Sequence, residues 1–296
     1  MSLLSDTQGR PERVWSLCRL LDALGGQARR DEVETWMMPA SFRENEKSLV
    51  QVRQTIGAAR SLGVVRDDGS EIALQVEVLP DSLPSFSDLA HGMLRDQPSD
   101  ADIVMMRAYA CVVLETERTD GTSWLAEQSD KQIADRIDEV LRTGEDIETR
   151  LFNPTKIAPW RAWMLALGLG FEGGPALPTF FPQPAERILR ELPKLRSESG
   201  TTGEIPASTF MSLLAARMPY LDHGAVSEEI SSKMGYRLRP GWVSRVVSEA
   251  LLDLHDDGVL RLVSRADAPD ALSLVGDATS PVKSFVGVVL LDGGAP

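Results

Sequence analysis

A chain of 296 residues has room for two or three domains with cores of their own, and its 43% hydrophobic and 25% charged residues exclude wholesale disorder. A formal net charge of −13 excludes a histone-like binder of polyanions. Residues 1–9 are polar, and the longest apolar runs, such as 285–291, fall far short of the roughly 20 residues that a spanning helix needs, so a cytoplasmic protein without membrane contact is expected.

The charge is unevenly spread. Residues 1–66 carry 10 Lys/Arg against 8 Asp/Glu, residues 67–150 carry 7 against 20, and residues 151–296 carry 14 against 16. The acidic excess therefore lies in the second stretch, and a polyanion would meet the first or the third.

In chain order, residues 11–24 place Val14, Leu17, Cys18 and Leu21 on one helical face, and Gly25-Gly26 stops them. Residues 31–37 read as a short second helix headed by Asp31, an acceptor able to cap free amides. A third stripe, Val52, Ile56, Ala59 and Leu62, halts at Gly63; Val64-Val65, a polar turn over 66–70, then Ile72 and Leu74 read as a hairpin. Residues 79–88, with two prolines, join this to a second set: helices near 101–116 and 130–142, then a helix opened by Asn153 and carrying Trp160 and Trp163. It stops at Gly168, and 169–171, a turn and a return over 177–181 follow. The third set has helices near 184–195 and 206–217, with the Ser/Thr/Gly-rich stretch 197–203 as a further joint. A short helix over 225–234 precedes a stripe of Val246, Val247, Ala250, Leu251 and Leu254 that ends at Asp257-Gly258. Strands over 259–263 and 272–275 then flank a turn at 265–270.

Helix, helix, helix and hairpin is the order of a winged helix, a variant of the helix-turn-helix. The expected fold is mainly α with small β-hairpins: three tandem winged-helix-like units at 1–84, 85–182 and 183–296, the middle one acidic and the last with a C-terminal strand.

In such a unit the third helix is the element that enters a major groove. The first offers Lys47, Gln51 and Arg53, with Asn45 and Ser48 beside them, types that bond phosphate oxygens or base edges; an ordinary solvated face would look the same. In the third, Lys233, Arg237, Arg239 and Arg245 are interleaved with Tyr236 and Trp242, a pattern that pairs phosphates and packs rings on sugars or bases. Its alternative is a core Trp and Tyr ringed by surface charge. In the second unit Asn153 reads as a cap and the two Trp as core, which leaves its acidic helices to a protein partner.

Catalytic patterns are absent. Gly168, Gly170 and Gly173 spell GxGxxG, but a helix precedes them and prolines follow, so they read as a wing turn and not as a dinucleotide fingerprint. His91, His223 and His255 are scattered, Cys18 and Cys111 sit in apolar helical patterns as core residues, and neither a phosphate loop nor a GxSxG elbow occurs. No cofactor, metal, small-molecule substrate or enzyme activity is expected.

The three helix-and-wing sets, with the opening from Arg10-Pro11-Glu12-Arg13-Val14 to Gly25-Gly26 and the segment 153–170, resemble the DpdG-like proteins. These are tandem winged-helix accessory proteins of bacterial DNA-modification and phage-defence gene clusters, associated with placing 7-deazaguanine derivatives in DNA. The resemblance implies work beside modification or restriction enzymes and supplies no catalytic residues. The expected function is a non-enzymatic DNA-binding or targeting subunit, with DNA and other subunits of the complex as partners. The alternative is a protein scaffold in a multiprotein, ATPase-containing complex without DNA contact, and a third class is an enzyme with an unrecognised site.

Overall fold

The computed structural model describes residues 2–5, 8–42, 48–96, 99, 101–144, 149–174, 179–266, 268–276 and 281–291. The helices are α1 Pro11–Ala23, α2 Arg30–Met37, α3 Ser48–Leu62, α4 Leu83–Asp96, α5 Ile103–Arg118, α6 Ser123–Glu127, α7 Asp130–Arg142, α8 Pro154–Ala166, α9 Ala185–Ser199, α10 Ala207–Arg217, α11 Ala225–Met234 and α12 Arg245–Asp256. The strands are β1 Gln27–Arg29, β2 Val65–Asp67, β3 Glu71–Leu74, β4 Gly170–Glu172, β5 Phe180–Pro182, β6 Glu204–Pro206, β7 Leu260–Val263, β8 Leu272–Ser273, β9 Ser284–Phe285 and β10 Gly287–Leu290. The fold is mainly helical with small antiparallel sheets, as expected, and among the described residues no helix is long and apolar enough to cross a membrane.

Packing gathers the chain into two compact units. The first comprises residues 1–105 and 153–167, the second residues 106–152 and 168–296. Stretch 85–182 thus contributes α4 and α8 to the first unit and α6, α7 and the β4–β5 hairpin to the second.

In the first unit, Val14, Leu17, Cys18 and Leu21 of α1 are buried, as their spacing predicts, and Gly25 and Gly26 take the left-handed φ that ends the helix. The chain then forms β1, α2, α3, β2 and β3 in turn, and the sheet order is β1-β3-β2, antiparallel throughout. Asp31 does not cap α2: the helix begins one residue earlier, behind Arg29, and the Asp31 carboxylate pairs with the Arg29 guanidinium at 3.1 Å. Asn153 does cap α8, its Oδ1 accepting from the Thr155 amide at 3.1 Å. Both Trp of α8 are core: Trp160 Nε1 donates to the Met105 carbonyl and Trp163 Nε1 to the Gly9 carbonyl, each at 3.1 Å.

The second unit contains the same order again. A helix (α9), a strand (β6), helices (α10, the short α11, and α12), then strands β7 and β10 give the sheet order β6-β10-β7. The registers correspond: buried Ala28 faces buried Ile72 in the first sheet, and buried Ile205 faces buried Val288 in the second. We refer to residues 11–74 as module one and 185–290 as module two.

One expected hairpin is wrong. Strand β7 does not pair with 272–275; its partner is β10, with Leu262 opposite Val288. Residues 272–273 instead pair with β9, and Ser273 forms a parallel bridge to Trp242. The inner position between β6 and β7 goes to Gly287–Leu290, where Val288 and Leu290 are buried and the β-branched pair Val288-Val289 fits a covered strand better than the half-buried Leu272–Ser273. Residues 177 and 178 of the expected return in the middle hairpin lie outside the described residues; the return strand is Phe180–Pro182.

Candidate nucleic-acid interface

Module one holds its cations around an open groove of about 740 Å³ between β1, the starts of α2 and β3, and α3. Arg29 and Arg53 line it with 77% and 60% of their side chains exposed, paired to Asp31 and to Glu34 at 3.1 and 3.4 Å. The Arg29–Asp31 pair is exposed on both sides and so holds weakly, and Arg53, though its partner Glu34 is largely buried, turns most of its side chain to solvent; both are available to a stronger anion. Arg30 is pinned, bonding the Asp67 carboxylate at 2.6 Å and the Gly69 carbonyl at 3.0 Å. Gln51 is half-buried on the first turn of α3, where its carbonyl accepts from the Thr55 hydroxyl. Lys47, Arg43 and Asn45 lie outside the described residues.

Module two treats its cations differently. Lys233 is spent on its own unit, its Nζ bonding the Leu141 carbonyl at 2.9 Å and lying 3.7 Å from Glu229. Arg239 is exposed, with its guanidinium carbon 4.3 Å above the half-buried Trp242 ring, a cation–π contact. Arg237 is exposed at the rim of a cavity of about 680 Å³ that also touches Tyr236 and His223. Arg245, the first residue of α12, pairs with Asp120, and its backbone amide donates to Glu117 Oε2 at 2.6 Å. The preceding amide, of Ser244, donates to buried Asp222 Oδ2 at 2.7 Å. The start of α12 is therefore surrounded by carboxylates of its own unit.

The exposed side of α12 is acidic as well, with Glu249, Asp253 and Asp256 on it and Asp257 just beyond. Partial burial raises the Asp253 carboxyl above its usual range, and the like charges of Asp257 and Asp256 add to this. Burial also raises Glu249, with Asp253 and Glu117 adding and Arg245 opposing. The structure thus separates the two cation sets: α3 presents Arg53 and Arg60 to solvent, whereas α12 presents carboxylates. Glu34, Glu117, Asp120 and Asp222 escape a reading of the sequence, because each belongs to a helix or turn far along the chain from the cation or amide it meets.

Asp222 gives a testable pH dependence. Burial raises its carboxyl, against the pull of the Ser244 hydrogen bond, so the folded chain releases this proton less readily than the unfolded one. The resulting penalty is absent below the ordinary aspartate range and grows as pH rises above it. The stability difference between Asp222→Asn and the parent should therefore move in favour of Asn between about pH 4 and pH 7. Urea denaturation at both values checks it, and a flat or opposite trend contradicts the assignment.

Among the described residues no group of three or more His, Cys, Asp or Glu is placed to hold a metal. Cys18 and Cys111 are buried free thiols, pushed up to about 12 by desolvation. The GxGxxG glycines run from the end of α8 through strand β4, where a Cβ on Gly170 would strike the Phe181 carbonyl and the Phe180 ring across the β4–β5 pair. No curated protein and no solved structure matches the chain. The DpdG-like family model matches residues 1–268, and on that match the chain, with its two helix-and-sheet modules, belongs to the DpdG-like family.

Proposed function

We propose that this chain is a non-catalytic, DNA-contacting or targeting subunit of a DNA-modification system, and that modules one and two are winged helices. The observation that carries the reading is that both modules run from a helix to a strand, then further helices and a second strand, with the last strand in the middle of a three-stranded sheet, in a member of the DpdG-like family. Module one makes the main contact through Arg29 and Arg53, with Gln51 on the same helix as Arg53. The acidic stretch 85–182, whose helices and β4–β5 hairpin are shared out between the two units, serves a protein partner.

Titration of labelled duplex DNA over a range of salt tests this. Each phosphate contact contributes about 0.9 to the slope of log affinity against log salt, so Arg29→Ala with Arg53→Ala should lower it by up to about 1.8. Both side chains are largely exposed, so the fold should be kept. A parent that fails to bind duplex even at low salt sinks the reading.

Exposed Trp36 and Phe42 favour a second reading, a scaffold without DNA contact, because at 62% and 71% exposure they are apolar surface of the kind that partners cover. Partners that stay bound through nuclease treatment, beside a parent without DNA affinity, would establish it.

A further inference from the structure

The start of α12 is the place in module two that corresponds to the groove-facing helix of module one, and the chain's own carboxylates occupy it. We propose that the end of α5 and the turn after it, Glu117 and Asp120, form an autoinhibitory latch that fills the phosphate positions at the start of α12; this rests on the DNA-contacting reading above.

Helix starts are ordinarily capped by the residue just before the helix. Here Ser244 makes no side-chain cap bond. The first helical amide is taken by Glu117, far earlier in the chain, at 2.6 Å, and the guanidinium of the same residue, Arg245, by Asp120. Two bonds that a phosphate would receive, one from a helix-terminal amide and one from a guanidinium, thus go to two carboxylates three residues apart in sequence.

Asp120 is presented by an unusual backbone. It has φ +57, in the left-handed region that non-glycine residues seldom enter, and its side chain is 89% exposed. The turn is fixed at its base by Thr119 N–H to the Glu115 carbonyl and Gly121 N–H to the Thr116 carbonyl, so the carboxylate stands out from the end of α5. Glu115, below it, is itself held by Arg118 and Arg136 and is not free to join the latch. The Arg245–Asp120 pair is open to water on the Asp120 side, and such pairs are readily displaced. Glu249, one turn further on, keeps the middle of α12 acidic. An opened latch therefore offers a phosphate Arg245, with exposed Arg237 and Arg239 a few residues earlier in the chain, and no position further along α12.

The test compares the parent with Glu117→Gln/Asp120→Asn in duplex titrations over salt. Gln keeps an acceptor for the Arg245 amide, and Asn tolerates the left-handed φ, so the fold should persist; Asp120→Asn alone, at an exposed position, serves if the pair does not fold. Opening should steepen the salt slope by about 0.9 if Arg245 alone is freed and by about 2 to 3 if Arg237 and Arg239 join it. Adding Arg245→Ala should cancel the Arg245 share. A control removing two charges from the other end of the helix, Asp256→Asn/Asp257→Asn, should leave the slope unchanged. A parent that binds and an opened variant with the same slope overturn the latch and leave the DNA reading standing. A gain matched by the control, or one untouched by Arg245→Ala, also overturns it. Absence of binding in both parent and opened variant overturns latch and DNA reading together; binding that appears only on opening supports both.

Discussion

Replacing Glu191 by alanine should lower the unfolding free energy by about 3–5 kcal/mol, the range for breaking a buried ion pair from one side. Glu191 on α9 is fully buried and accepts from Arg187, also fully buried, at 3.2 Å and from Arg217 of α10 at 2.6 Å, with Lys194 at 3.5 Å. Its removal takes a carboxylate away from the Arg187 and Arg217 guanidinium groups and weakens the α9–α10 packing on which module two is built. The diagnostic comparison is Arg187→Met with Glu191→Leu, which removes both buried charges and should cost far less than the single change. Urea denaturation of the two variants checks the pair. A Glu191→Ala loss below about 1 kcal/mol would show that the cluster is hydrated and not dry.

A loss of similar size, about 3–5 kcal/mol, is expected for Trp163→Ala in the first unit, from the cavity left by a buried indole. Trp163 is 1% exposed and its Nε1 donates to the carbonyl of Gly9, just before α1, so the substitution also orphans a buried acceptor. The affected region is informative. Residues 153–167 are distant in sequence from the rest of the first unit, and protection of α1 amides from hydrogen exchange should fall in this variant. Unchanged protection of α1 would mean that α8 contributes little to that core.

The helices were largely legible in the sequence because each carries an apolar stripe at its own period: Val14, Leu17, Cys18 and Leu21 in α1, and Val246, Val247, Ala250, Leu251 and Leu254 in α12, are all buried. Helix α4 was not legible, since Pro80 and Pro84 make its start read as a linker although Phe86, Ala90 and Leu94 pack inward. The three-residue strands β1 and β6 leave no periodicity to read, yet they reveal that the two sheets are alike. The third hairpin failed because strand pairing depends on which segment reaches the inner position, and two apolar segments competed for it. At the candidate interface the cationic residue types were legible and their state was not. Arg245 and Lys233 look as available in sequence as Arg53 does, and only the carboxylates and carbonyls brought to them from distant positions separate the three.

The two modules also differ in how far the chain travels before its last strand returns. In module one β2 and β3 are joined through residues 68–70; in module two β7 and β10 are separated by residues 264–286, which contain β8 and β9. Closing the longer loop costs about 2 kcal/mol more chain entropy, since the cost grows as (3/2)RT ln n. Folding rates follow such separations, so the first sheet can zip up while the second still searches for its central strand. During synthesis this places the slow step last: module one is complete before β10 leaves the ribosome, and until then strands β6 and β7 stand as open edges that need shielding from other chains.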